Sequence, residues 1–222
     1  MPDLVVVIGA GPGLGQAIGH AFTERGDRVV LIARDKYRLR DIAEAVGGAY
    51  VPVDVTDEPA LRAAFAEIRT SFGDPTVLVH NPSIVFEAPA TETPLEALMA
   101  GFRLAAGSLL VAAQEVVPAM RTAGRGIILV TGNAAAITGS TWSAALGAQK
   151  AAARNLARSL AAELGPAGIR VATITINGIL GTPGFELERI AAKYVDLTSV
   201  SAAASWQPEV HWPHKSDPIS PH

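Results

Sequence analysis

The stretch Val5–Gly19, "VVVIGAGPGLGQAIG", decides how the chain is read. Its first half is an unbroken β-branched run, the pattern of a strand buried on both faces. Its second half carries glycines at 9, 13 and 15, spaced G-x-x-x-G-x-G, and runs on into a helical pattern. Glycine permits a tight turn and lets backbone approach a pyrophosphate, which then sits on the positive N-terminus of the next helix. The spacing alone is weak evidence. Between a strand and a helix it predicts a dinucleotide-binding turn, with Gly9, Gly13, Leu14 and Gly15 against the phosphates.

The same alternation continues downstream. "DRVVLIAR", "AYVPVDV", "PTVLVHN", "RGIILVTG" and "IRVATITI" read as strands, separated by helical segments that include one starting near Asp57. Two long helices rich in small residues, roughly 95–122 and 142–164, flank the fifth strand. Repeated βα units predict an α/β fold: one Rossmann-type, doubly wound parallel sheet with helices on both faces, over residues 1–212. A short helix near Phe185–Tyr194 and a last edge strand near "QPEVHW" complete it. Residues 213–222, dominated by proline, histidine and serine, are expected to be a disordered tail.

Composition narrows the function. Of 222 residues, 49% are hydrophobic and 18% charged, a balance suited to a sheet covered on both faces and to a helical subunit interface. The net charge of −3 gives no basic footprint for nucleic acid. No disulfide or thiolate chemistry is available without cysteine, and no metal-ligating cluster stands out. No apolar run is expected to reach the ~20 residues of a membrane span. A first strand beginning at Leu4 leaves no stretch for a signal peptide, so the expected location is cytoplasmic.

At the end of the second strand a dinucleotide fold commonly holds the residue that reads the adenosine ribose, a carboxylate favouring NAD(H). Here Ala33 stands there, followed by Arg34, whose guanidinium can grip a 2′-phosphate. NADP(H) is therefore the expected cofactor in preference to NAD(H). A solvated surface arginine in a charged stretch is the alternative.

Taken together, these residues resemble the short-chain dehydrogenase/reductase family over roughly residues 4–184. The glycine turn matches the family's cofactor loop, with Ile8 in place of its threonine. "ARDKYRL" is similar to the NADP-preferring end of the second strand. The resemblance implies that Asp54 and Val55 contact the adenine. It also implies that "LVHNPS" stands for the Asn-Asn-Ala-Gly turn, retaining Asn81. Finally, it implies that Ile179 (through its backbone) and Thr182 (through its hydroxyl) meet the nicotinamide carboxamide in "INGILGTP".

The family's proton relay, built from Asn, Ser, Tyr and Lys, is matched only at Lys150. Leu146 stands one helical turn earlier, where the resemblance places the tyrosine, and i and i+4 share a face. Gly132 or Asn133 stands at the serine's place, and Leu104 or Ala105 at the asparagine's. Asn133 is a candidate hydrogen-bond donor to a carbonyl oxygen; Lys150 is a candidate ribose clamp. Thr131, Ser140, Thr141 and Ser143 lie nearby, and His80 reads as a packing residue. The expected function is an NADP(H)-binding oxidoreductase of unknown carbonyl or alcohol substrate, or a catalytically silent nucleotide-binding protein. A homodimer or homotetramer is expected, through the helices around 103–122 and 142–164.

Overall fold

The computed structural model describes residues 2–199 and 206–213. Seven parallel strands form one sheet in the order β3-β2-β1-β4-β5-β6-β7. They are β1 (Leu4–Ile8), β2 (Arg28–Ala33), β3 (Ala49–Pro52), β4 (Val77–His80), β5 (Gly126–Asn133), β6 (Ile169–Ile176) and β7 (Glu209–Trp212). The chain winds outward from β1 to β3, returns to β4 on the other side of β1, and proceeds to β7, giving the expected doubly wound sheet. β1 lies in register with both neighbours, Ile8 pairing with Ile32 and with His80. That crossing point, beyond the carboxyl ends of β1 and β4, is where such sheets leave a crevice.

All five residues of β1 are buried, which explains their unbroken apolar run. Even-numbered side chains of β1 join one core cluster with Phe65, Leu109 and Leu160; odd-numbered ones join a second with Ile18, Leu39 and Tyr194. Each fully buried aliphatic side chain contributes about 1.5–3 kcal/mol relative to exposure. Two such cores hold the sheet between its helical layers.

The helices are α1 (Leu14–Glu24), α2 (Lys36–Val46), α3 (Glu58–Phe72), α4 (Leu95–Phe102), α5 (Ser108–Ala123), α6 (Ala135–Thr138), α7 (Ala144–Leu164) and α8 (Leu187–Ser199). Asp35 and Asp57 cap α2 and α3 by accepting backbone N–H bonds, as their place before each helical pattern dictates. The third strand is shorter than expected. Ladder pairing ends at Pro52, and Val53–Val55 continue as the loop beneath the cleft. The late helix is longer than expected, ending at Ser199. β7 confirms the last edge strand, while the expected tail, apart from Pro213, lies outside the described residues.

One expectation is corrected. α4 and α5 are joined by a π-helical turn, Arg103–Gly107, into one helix over 95–123, long and apolar enough to cross a membrane by length and hydropathy. Its packing gives another reason for that apolarity. Leu109, Ala112, Val116 and Met120 lie in the core, and Glu115 pairs with Arg62 and Arg69 of α3.

β7 is held at the sheet edge by charge. Glu209 accepts from both Nε and Nη2 of Arg154, from Arg158 and from the Thr175 hydroxyl. Burial alone would raise the Glu209 carboxyl; the Arg154 and Thr175 hydrogen bonds overturn that and hold it down to about 2.

Candidate functional site

A cleft of about 500 Å³ opens at the crossing point. Among the expected contact residues, Gly9, Leu14, Gly15, Arg34, Val55, Asn81, Asn133 and Lys150 line it. Gly13, Asp54, Ile179 and Thr182 lie beside it without forming its wall.

The phosphate end is built from backbone. Gly9 has φ +80°, and a Cβ there would stand 2.7 Å from the Pro82 nitrogen. At Gly15 a Cβ would stand 2.4 Å from the Gly9 carbonyl oxygen. No side chain fits between α1 and the turn, so these glycines bring the helix N-terminus against the cleft. Arg34 is exposed at the same end and has no hydrogen-bond or ion-pair partner among the described residues. Asp54 accepts the Thr56 N–H and hydroxyl, which with nearby Arg34 keep its carboxyl below the usual range against the opposing pull of burial. The residues present therefore fit a dinucleotide: a backbone cradle at the pyrophosphate and an unpaired cation at the adenosine ribose.

A chain of hydrogen bonds braces this turn. The Asn81 amide donates to the Gly9 carbonyl at 3.0 Å, and the Thr131 hydroxyl donates to Asn81 Oδ1 at 2.8 Å. With its proton so used, the Thr131 hydroxyl accepts from Tyr194, 2.7 Å away. Tyr194 is wholly buried, and burial raises its phenol above its ordinary range. It is a strut, not a proton donor to the cleft.

Lys150 lies at the floor. Its Nζ donates to the carbonyls of Pro82 (3.0 Å) and Thr131 (2.9 Å), leaving one of its three N–H groups. Burial lowers its pKa to about 8. His80 is also buried, and burial together with the Lys150 charge lowers it to about 3, so it is neutral near pH 7. Its Nε2 lies 2.8 Å from the Ser108 hydroxyl, which in turn donates to the Leu104 carbonyl across the π turn. His80 thus packs as expected, and it also ties β4 to the turn that carries Leu104.

The two pairs of candidate positions differ in their surroundings. Leu104 lines the cleft, whereas Ala105 is buried in the core. Asn133 carries a polar side chain on the cleft wall, whereas Gly132 has no room for one. A Cβ on Gly132 would stand 2.6 Å from the Thr173 methyl. Asn133 Oδ1 accepts the Ala135 N–H at 2.8 Å, which fixes the amide and leaves Nδ2 without a partner among the described residues. Leu146 faces the cleft one turn before Lys150.

The family model described as "Enoyl-(Acyl carrier protein) reductase" matches residues 9–200 of the sequence. The chain belongs to the short-chain dehydrogenase/reductase family. It is 29% identical over 211 residues to an uncharacterised oxidoreductase of Staphylococcus saprophyticus, covering 90% of this chain and 88% of that one. A metagenomic short-chain oxidoreductase solved with NADP has 25% identity and a TM-score of 0.86, over 94% of this chain and 96% of that one. The NADPH-bound short-chain oxidoreductase of Pseudomonas aeruginosa, described as containing an atypical catalytic centre, shares the fold at 22% identity. Its TM-score is 0.86, over 97% of this chain and 98% of that one.

Several residues that shape the short-chain dehydrogenase site carry no motif. Gln149 is fully buried, accepts the Ile84 N–H and donates to the Ile84 carbonyl; Ser143 donates to the Phe86 carbonyl. The signal for Gln149 was its polarity beside Lys150 in an alanine-rich helix. Nothing local marked Ser108 or Tyr194.

Proposed function

We propose that this chain is an NADP(H)-binding member of its family in which the usual proton relay is vacant, so that it holds the nucleotide but reduces ordinary carbonyls slowly. The observation that carries this reading is Leu146, an apolar side chain facing the cleft one turn before a lysine already bonded to two carbonyls. NADPH would supply a hydride when bound. In this chain the glycine turn and α1 N-terminus would bind the pyrophosphate, Arg34 the 2′-phosphate, and the remaining Lys150 N–H a ribose hydroxyl. Asn133 Nδ2 would orient an acceptor oxygen without giving up a proton. Losing a positioned general acid costs about 10²–10⁴ in rate, while cofactor contacts elsewhere are untouched.

A cytoplasmic homo-oligomer, in which residues 1–212 act as one cofactor-binding domain, is part of the same reading. Leu110 on α5 is 43% exposed, and the alanine-rich α7 admits close helix packing. Titration calorimetry with NADPH and NADH, followed by NADPH consumption across aldehydes, ketones and quinones, tests it. Selective NADPH binding with little turnover is expected. Rapid turnover of any simple carbonyl, or no nucleotide binding, contradicts it.

A further inference from the structure

The part of the cleft beyond the nicotinamide position has an unusual chemistry. Three segments meet there: 83–88 after β4, 134–142 after β5, and 178–182 after β6. Val85, Leu104, Leu146 and Leu180 line the cleft itself. At its mouth, Phe86, Ile137, Trp142 (54% exposed) and Ile179 (74% exposed) present further apolar surface. The one ionisable side chain on these three segments is Glu87, exposed and outside the cleft wall. Ser83 is the polar side chain the segments add to that wall, beside Asn133 at the end of β5.

The exposed side chains of segment 83–88 sit on a fixed backbone. Gln149 bonds both polar groups of Ile84, at 3.3 Å (N–H) and 2.6 Å (carbonyl). Ser143 Oγ holds the Phe86 carbonyl at 2.7 Å, and the Ala144 N–H holds the Ala88 carbonyl at 3.2 Å. Both clamping side chains are fully buried. A loop anchored at three points while its apolar side chains stay wet is arranged for a ligand, because preorganised apolar surface gains on burial without an ordering cost.

We propose that this end of the cleft takes a neutral, mainly apolar ligand of ring or medium-chain size, bearing one acceptor oxygen for Asn133 Nδ2. The inference names the ligand class for the site read above as NADP(H)-binding and rests on that reading for the cleft's other half. A carboxylate or phosphate ligand would find no cation on these segments, and Lys150 at the cleft floor already gives two of its N–H groups to carbonyls, its third being the ribose donor in the reading above. A sugar would leave most of its hydroxyls unpaired against leucine and valine, at a cost for each buried one.

The test is ligand-observed NMR with straight-chain methyl ketones from 2-pentanone to 2-nonanone, and with pyruvate and glyceraldehyde, on the full chain with and without NADPH. Kd is expected to fall about fourfold per added methylene, at ~0.8 kcal/mol each. The gradient should persist at high salt, with no saturable binding of pyruvate or glyceraldehyde. Val85→Ser should weaken 2-nonanone about tenfold while the protein keeps its fold by circular dichroism. A Kd independent of chain length, tighter binding of either polar probe, or an unchanged 2-nonanone Kd in Val85→Ser overturns the proposal. A gradient without any NADPH binding would sustain it and sink the cofactor reading instead; NADPH binding without a gradient would do the reverse.

Discussion

The two ends of the cleft are built differently. At the phosphate end the wall is main chain. Gly9 and Gly15 are required because a Cβ at either would strike backbone, and Arg34 beside them has no ion-pair partner among the described residues. At the nicotinamide end the wall is side chain: Leu104, Val85, Leu146 and Leu180, with Asn133 as donor. Backbone geometry tolerates no substitution at the contact point, whereas a side-chain wall can be rewritten residue by residue without disturbing the fold. A nucleotide cradle can therefore stay intact beside a rebuilt reaction chamber.

The largest expected effect breaks the first half of that contrast. Gly15→Val forces a side chain into a 2.4 Å gap against the Gly9 carbonyl. It should destabilise the chain by about 1–3 kcal/mol in urea unfolding and abolish measurable NADPH binding by calorimetry. Unchanged affinity would mean that the turn does not carry the nucleotide. Arg34→Ala comes next: NADPH affinity should fall about 10–100-fold, the worth of hydrogen bonds to a charged group, with NADH affinity unchanged. Equal losses for both would remove the phosphate-reading role.

Acid stability separates His80 from the sheet edge. His80 has a folded pKa of about 3, below its unfolded value near 6.5, so the unfolded chain takes up the proton first. Its contribution is present above pH 6.5 and lost as pH falls toward 3. For Glu209, lowered to about 2, the loss runs from about pH 4.5 downward. Urea midpoints across pH 7 to 3 should decline less steeply in His80→Asn from pH 6.5, and in Glu209→Gln only below about pH 4.5. Parallel curves for wild type and His80→Asn would contradict the buried neutral imidazole. The smallest effect is at the brace. Tyr194→Phe removes one buried hydrogen bond to Thr131 and should cost about 1 kcal/mol, with NADPH affinity weakened by a few-fold at most.

The same contrast explains what was legible before the structure. Glycine spacing, β-branched runs and Arg34 are local signals with a direct geometric meaning, and the parallel, doubly wound sheet followed from the βα alternation. Lys150 and Leu146 were readable because i and i+4 lie on one helix face. The choice between Leu104 and Ala105 was not, because a π turn shifts the phase of the helix there. Gln149 and Ser143 clamp a loop some 60 residues away, and Tyr194 reaches Thr131 across 63 positions. Such pairings exist only once the sheet has brought them together. The apolar character of helix 95–123 was likewise hidden by the charges spaced along it.

The most direct measurement is NADPH-dependent carbonyl reduction by the double variant Leu146→Tyr/Asn133→Ser beside wild type, each with its NADPH Kd determined. If the cradle is intact and the relay alone is missing, Kd should stay within a few-fold of wild type while the reduction rate rises about 10²–10⁴-fold. A wild type that already reduces the same carbonyls as fast as the double variant would contradict the claim.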